Sequence, residues 1–76
     1  MARLRKLSGH DVVKVLCNKL GFSISGRSGS HVRLSKVTDG GKIGCVVPMH
    51  PELKIGTLKS ILRQAQISED EFTKHI

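Results

Sequence analysis

Residues 31–47 read HVRLSKVTDGGKIGCVV, and the spacing of apolar residues in this stretch decides the fold. Val32 and Leu34 fall on one side of an extended chain and His31, Arg33 and Ser35 on the other, the period-two pattern of a half-buried strand. Thr38-Asp39-Gly40-Gly41 then carries the Asp-Gly hairpin signal, and Ile43, Cys45 and Val47 resume the inward set on a following strand. Pro48 ends that strand because it has no N–H to give a ladder.

Working outward toward the N-terminus, Phe22 and Ile24 share one side of a further strand. The small, flexible Ser25-Gly26-Arg27-Ser28-Gly29 stretch reads as the turn that joins it to His31. Before it, Ser8 is placed as an N-cap with Asp11 in the first turn, and Val12, Val13, Leu16, Cys17 and Leu20 recur at helical spacing. Gly21 stands where a left-handed C-cap is expected, so a helix over residues 9–20 is predicted. In the other direction, Met49-His50-Pro51-Glu52 is a turn. Thr57 reads as the N-cap of a second helix whose stripe is Leu58, Ile61, Leu62 and Ala65, opposite Lys59 and Arg63. Ser68-Glu-Asp-Glu71 has the form of a capping box and predicts a short helix over residues 69–75, anchored by Phe72. The predicted class is α+β: an α-β-β-β-α two-layer sandwich, with helices on one face of a three-stranded antiparallel sheet and a short C-terminal helix.

Seventy-six residues suffice for one small domain, residues 1–76, and not for a roomy enclosed cavity. Chemistry is therefore expected on an open surface, acting on something large. No apolar run approaches the roughly 20 residues of a membrane helix, and the basic start lacks the apolar stretch of a signal peptide, so a cytoplasmic protein is expected. Cys17 and Cys45 form no CxxC pair and have no His at ligand spacing; they read as small buried core residues kept reduced, and no metal or cofactor is expected.

The net charge of +7 is unevenly spread along the chain. Residues 1–36 hold eight Lys or Arg against Asp11 alone, a balance of +7, whereas residues 37–76 hold five of each sign and are neutral. A basic half on a small domain is the footprint of a polyanion binder, most commonly of nucleic acid. The plain alternative is a solvated, solubilising surface.

If Val32 and Leu34 face the helices, the pleat sends His31 and Arg33 the other way. His31 is then an exposed imidazole beside Arg33 and near Arg27, following a glycine-rich turn, Ser28-Gly29-Ser30, whose backbone N–H groups suit an anion. Imidazole takes or gives a proton near neutral pH. RNA supplies its own nucleophile, the 2′-hydroxyl, so a nuclease needs a base, an acid for the leaving oxygen and a cation for the phosphate. His31 with Arg27 or Arg33 provides a base and a cation; the acid is unassigned, with His50 a candidate only if the fold brings it near. Periodicity and charge do not separate a nuclease from a passive RNA binder.

Several blocks in register resemble the HicA (YcfA-like) toxins. They are Leu20-Gly21-Phe22, Gly29-Ser30-His31, Val47-Pro48-Met49-His50-Pro51, and Gly56-Thr57-Leu58-Lys59-Ser60-Ile61-Leu62-Arg63-Gln64-Ala65. The resemblance implies a double-stranded-RNA-binding-domain-like fold and an mRNA interferase, the toxin of a toxin–antitoxin pair neutralised by a HicB-type antitoxin. It maps the family's catalytic histidine onto His31. Many members carry a second His directly afterwards, where this chain has Val32, and many have Gly where it has Gln66. The resulting expectation is His31 as general acid/base with RNA contacts at Arg27, Ser28, Gly29, Ser30, Arg33 and Lys36. A non-catalytic double-stranded-RNA-binding module is the alternative, and a protein-interaction domain with a basic face is a third reading.

Of the other histidines, His50 reads as a loop residue, and His10 and His75 as exposed. Arg3, Arg5 and Lys6 form a basic arm or tail. With no Trp or Tyr, and with Phe22 and Phe72 on apolar faces, the chain has no stacking platform for single-stranded bases. Binding is expected to read backbone and shape, with a steep dependence on salt.

Overall fold

The computed structural model describes residues 4–76, in the order α1 (Gly9–Lys19), β1 (Ser23–Ser28), β2 (His31–Thr38), β3 (Gly41–Pro48), α2 (Ile55–Ala65) and α3 (Glu69–Thr73). Arg3 of the basic arm lies outside the described residues. The strands form one antiparallel sheet in the order β1-β2-β3. The predicted α-β-β-β-α arrangement is the observed one.

The first helix begins where the sequence places it. Ser8 Oγ accepts the Asp11 N–H at 3.0 Å, and the Asp11 carboxylate accepts the Ser8 N–H at 3.2 Å, a reciprocal cap. These bonds, the backbone one foremost, hold the Asp11 carboxyl below its ordinary range. Val12 and Leu16 are fully buried, and the helix stops at Gly21, whose φ of +81° is left-handed. Val32 and Leu34 of β2 and Cys45 and Val47 of β3 complete the sheet side of the core. Against them pack Leu58, Ile61, Leu62 and Ala65 of α2.

Several local readings change. The first hairpin turn is only Gly29-Ser30, with φ +59° at Gly29, so Arg27 and Ser28 belong to β1 and not to the turn. A bulge between Ile24 and Gly26 inserts Ser25 and reverses the facing of everything after it. Ile24, expected inside with Phe22, is 52% exposed, because on this edge strand its side chain lies past the helical cover. Thr57 is not an N-cap. The cap of α2 is Lys54, which makes no side-chain cap bond, because the preceding Leu53 is buried and its N–H is fixed on the Leu7 carbonyl at 2.7 Å, which starts the helix earlier.

In α3 Ser68 Oγ caps the Glu71 N–H at 3.0 Å, but the reciprocal bond is missing and the helix ends at Thr73. The Glu71 carboxylate lies instead 3.5 Å from His75 Nε2. Phe72 is the anchor expected, at 0% exposure.

Gln66 closes α2 in the left-handed region, φ 58° and ψ 41°, with its N–H on the Arg63 carbonyl at 3.2 Å. A side chain there is held in a conformation that costs about 1 kcal/mol relative to a right-handed one, and glycine escapes that strain. Gln66→Gly is expected to stabilise the domain by about 1 kcal/mol and raise Tm by roughly 4–8 °C. A thermal melt of the two proteins checks it; an unchanged or lower Tm contradicts it.

Candidate active site

Strand pairing defines the sheet face turned away from the helices. On β2 it carries His31, Arg33, Ser35 and Val37; opposite them on β3 stand Pro48, Val46, Gly44 and Lys42. On β1, beyond the bulge, Gly26 pairs with Arg33 and Ser28 with His31. His31 is thus an exposed residue at the first position of β2, between Ser28 and Pro48. The alternation predicted this placement, and burial of Val32 and Leu34 at 0% and 1% fixes it.

A groove opens beside His31. Its walls are Val46 and Pro48 of β3 and Gly56, Thr57, Ser60, Ile61 and Gln64 of α2. A second, adjoining depression holds Arg33, Ser35, Lys42, Gly44 and Val46, and Gln64 lines both. The groove walls carry two hydroxyls and an amide but no titratable group besides His31.

Arg33 is held by what its neighbour lacks. A Cβ placed on Gly26 would come within 2.6 Å of an Arg33 guanidinium nitrogen, so the missing side chain gives the guanidinium room across β1.

The remaining expected contacts scatter. Arg27 pairs with Val32 and stands on the helix-side face, because the bulge reversed its facing. Lys36 pairs with Ile43 on that same side, at the far end of β2, with its ammonium 5.8 Å from the centre of the Phe22 ring. Neither joins His31. Ser28, and the turn residues Gly29 and Ser30, do border it, and the Ser30 carbonyl accepts the Met49 N–H at 2.6 Å. The basic first half of the sequence is therefore not a basic face: of its cations, the sheet places Arg33 alone beside His31. Lys42, from the neutral half, faces the same way at the far end of β3, where it lines the second depression with Arg33 and not the His31 groove; it was missed, although the inward Ile43, Cys45 and Val47 already imply that Lys42, Gly44 and Val46 face outward. Gln64 lies in a block that resembles the HicA toxins, but neither periodicity nor charge marked it as part of a site.

None of the other histidines lines the His31 groove. His50 is exposed, contributes its backbone carbonyl to the Gly9 N–H at 2.9 Å and does not line the His31 groove. His10 is exposed on α1, whereas His75 is partly covered beside Glu71.

A family model described as the HicA toxin of bacterial toxin–antitoxin matches residues 9–67, from the first residue of α1 to just beyond α2. The chain belongs to the HicA toxin family. Curated proteins and solved structures give no match to it. In this HicA-family chain the matched span holds the whole sheet, both long helices and His31 with its groove. Phe72 of α3, outside that span, closes the core. Among the described residues no helix is long and apolar enough to cross a membrane.

The two cysteines of this HicA-family chain are free. Burial pushes the Cys45 thiol up to about 11 and raises that of Cys17, which is only partly covered. A buried thiol with so little thiolate is a poor nucleophile. A thiol-reactive disulfide reagent at neutral pH is expected to label Cys17 first and Cys45 only on unfolding; rapid native labelling of both contradicts this.

Proposed function

We propose that this toxin-family chain is an endoribonuclease that cleaves mRNA in the cytoplasm and is held inactive by a HicB-type antitoxin covering the His31 face. The observation that carries the reading is the position of His31: an exposed imidazole on the open sheet face, in the Gly-Ser-His block, beside Arg33 and an open groove. In this scheme His31 removes the proton of a ribose 2′-hydroxyl, and that oxygen attacks the adjacent phosphorus. The P–O5′ bond breaks, and the 5′-oxygen takes a proton from water, because the groove walls supply no second titratable side chain. The products are a 2′,3′-cyclic phosphate and a 5′-hydroxyl. Arg33, with Lys42 beyond it, provides positive charge for the phosphate, and Ser28, Gly29 and Ser30 border the same site. No cofactor enters the scheme.

The test is expression of the chain and of His31→Ala, scored by growth arrest and by RNA cleavage with analysis of the new ends. Arrest and cyclic-phosphate ends that vanish in the variant support the proposal. Salt-sensitive RNA binding without products, unaffected by the substitution, indicates a non-catalytic double-stranded-RNA-binding module instead.

A further inference from the structure

Gln64 reaches from the exposed flank of α2 to the outer edge of β3, where its Oε1 accepts the Val46 N–H at 3.1 Å. Only the carbonyl oxygen of a carboxamide can accept from an N–H, so this bond determines which way round the amide lies. Among the described residues the bond that this exposed side chain makes is the one accepted by Oε1, which leaves both hydrogens of Nε2 for a ligand. Gln64 and the apolar Val46 are shared by the His31 groove and the Arg33–Lys42 depression, so Gln64 is the one polar side chain that lines both. It is a fixed, neutral, two-hydrogen donor at the junction between the imidazole and the two cations.

We propose that Gln64 is a substrate-binding residue, donating from Nε2 to a phosphate oxygen of an RNA strand that runs from the His31 groove over Gly44 toward Arg33 and Lys42. The inference rests on the nuclease reading above. Three features argue for backbone phosphate as the acceptor. The charged and amide side chains that line the Arg33–Lys42 depression, Gln64 through its free Nε2, Arg33 and Lys42, are all donors, and Arg and Lys have no acceptor with which to read a base donor. Gly44 gives the strand a floor without a side chain: a Cβ there would meet only the Leu34 carbonyl, at 3.6 Å. No aromatic side chain lines either depression to stack a base.

Because the Val46 bond already holds the amide, little rotamer freedom is lost when RNA arrives. A hydrogen bond to a charged acceptor then corresponds to about tenfold or more in affinity.

The experiment measures RNA affinity by fluorescence anisotropy in the His31→Ala background, so that the probe, a labelled RNA hairpin with single-stranded flanks, stays intact. Gln64→Leu and Gln64→Glu are added singly, with Arg33→Ala as a reference, and Tm is recorded for each. Gln64→Leu is expected to weaken binding about tenfold for flanks of any sequence, Gln64→Glu more because it sets a carboxylate against the phosphate, with melting temperatures close to the parent. In the active protein Gln64→Leu raises KM with a smaller change in kcat. Unchanged affinity of Gln64→Leu overturns the inference while leaving the nuclease reading in place. A loss confined to one base overturns the phosphate assignment. Absence of RNA binding by the His31→Ala parent and by the unsubstituted chain at low salt overturns the functional reading and this inference with it.

Discussion

Replacing His31 by alanine is expected to lower the rate of RNA cleavage about 10²–10⁴-fold, the contribution of one well-placed general acid–base group. The substitution touches nothing that holds the domain together: His31 is exposed at the start of β2, and its strand partners Ser28 and Pro48 meet it through the ladder. Tm is expected to stay within a few degrees of the parent. The loss then belongs to the chemistry. Arg33→Ala is a useful contrast, because it removes a phosphate contact and is expected to weaken binding and flatten its salt dependence while the base survives. Cleavage rates over a range of RNA concentrations, with growth arrest alongside, separate the two. A folded His31→Ala protein that cleaves at the parental rate would falsify the assignment.

Gly9→Ala is expected to be the most damaging single methyl group in the molecule. Gly9 is buried in the first turn of α1, where its N–H donates to the His50 carbonyl at 2.9 Å. A Cβ there would overlap the Pro48 carbonyl oxygen and lie 2.8 Å from the Met49 Cα. These obstacles are backbone, pinned by the Met49 N–H on Ser30 and by the Leu53 N–H on Leu7, so no flexible side chain can swing aside. Overpacking against a fixed backbone costs about 3 kcal/mol. For a chain of this length, whose whole stability is on the order of 4–11 kcal/mol, that is a large share and lowers Tm by roughly 12–24 °C. Thermal unfolding checks the magnitude. Because Pro48 stands opposite His31 in the ladder, whatever folded fraction remains is also expected to cleave more slowly. A Tm within 3 °C of the parent contradicts the packing account.

The readings that succeeded rest on short-range periodicity. The Ser8 cap, the Val12–Leu16 stripe, the alternation in β2 and β3 and the Leu58–Ala65 stripe each depend on residues within a few positions of one another. The readings that changed depend on distant contacts. Thr57 has the chemistry of an N-cap, but Leu53, held on Leu7, starts the helix before it. Ser25 looks like a turn residue and is the extra residue of a bulge, which turns Arg27 away from His31 and Ser28 toward it. Charge counted along the chain misled for the same reason. Successive residues of a strand face opposite ways, so Arg33 and Lys36 sit on opposite sides of one sheet although both lie in the basic half.

By itself the sequence determined the α-β-β-β-α order, the core residues of the helices and central strands, and the outward facing of His31, because period and pleat are local geometry. Only the tertiary structure decided which groups accompany that histidine. The bulge in β1 selected Ser28 over Arg27, ladder register brought Lys42 into line with Arg33, and the packing of α2 against β3 carried Gln64 to the edge of the groove. Each of these depends on the alignment of segments far apart in the chain, which no short window of sequence contains.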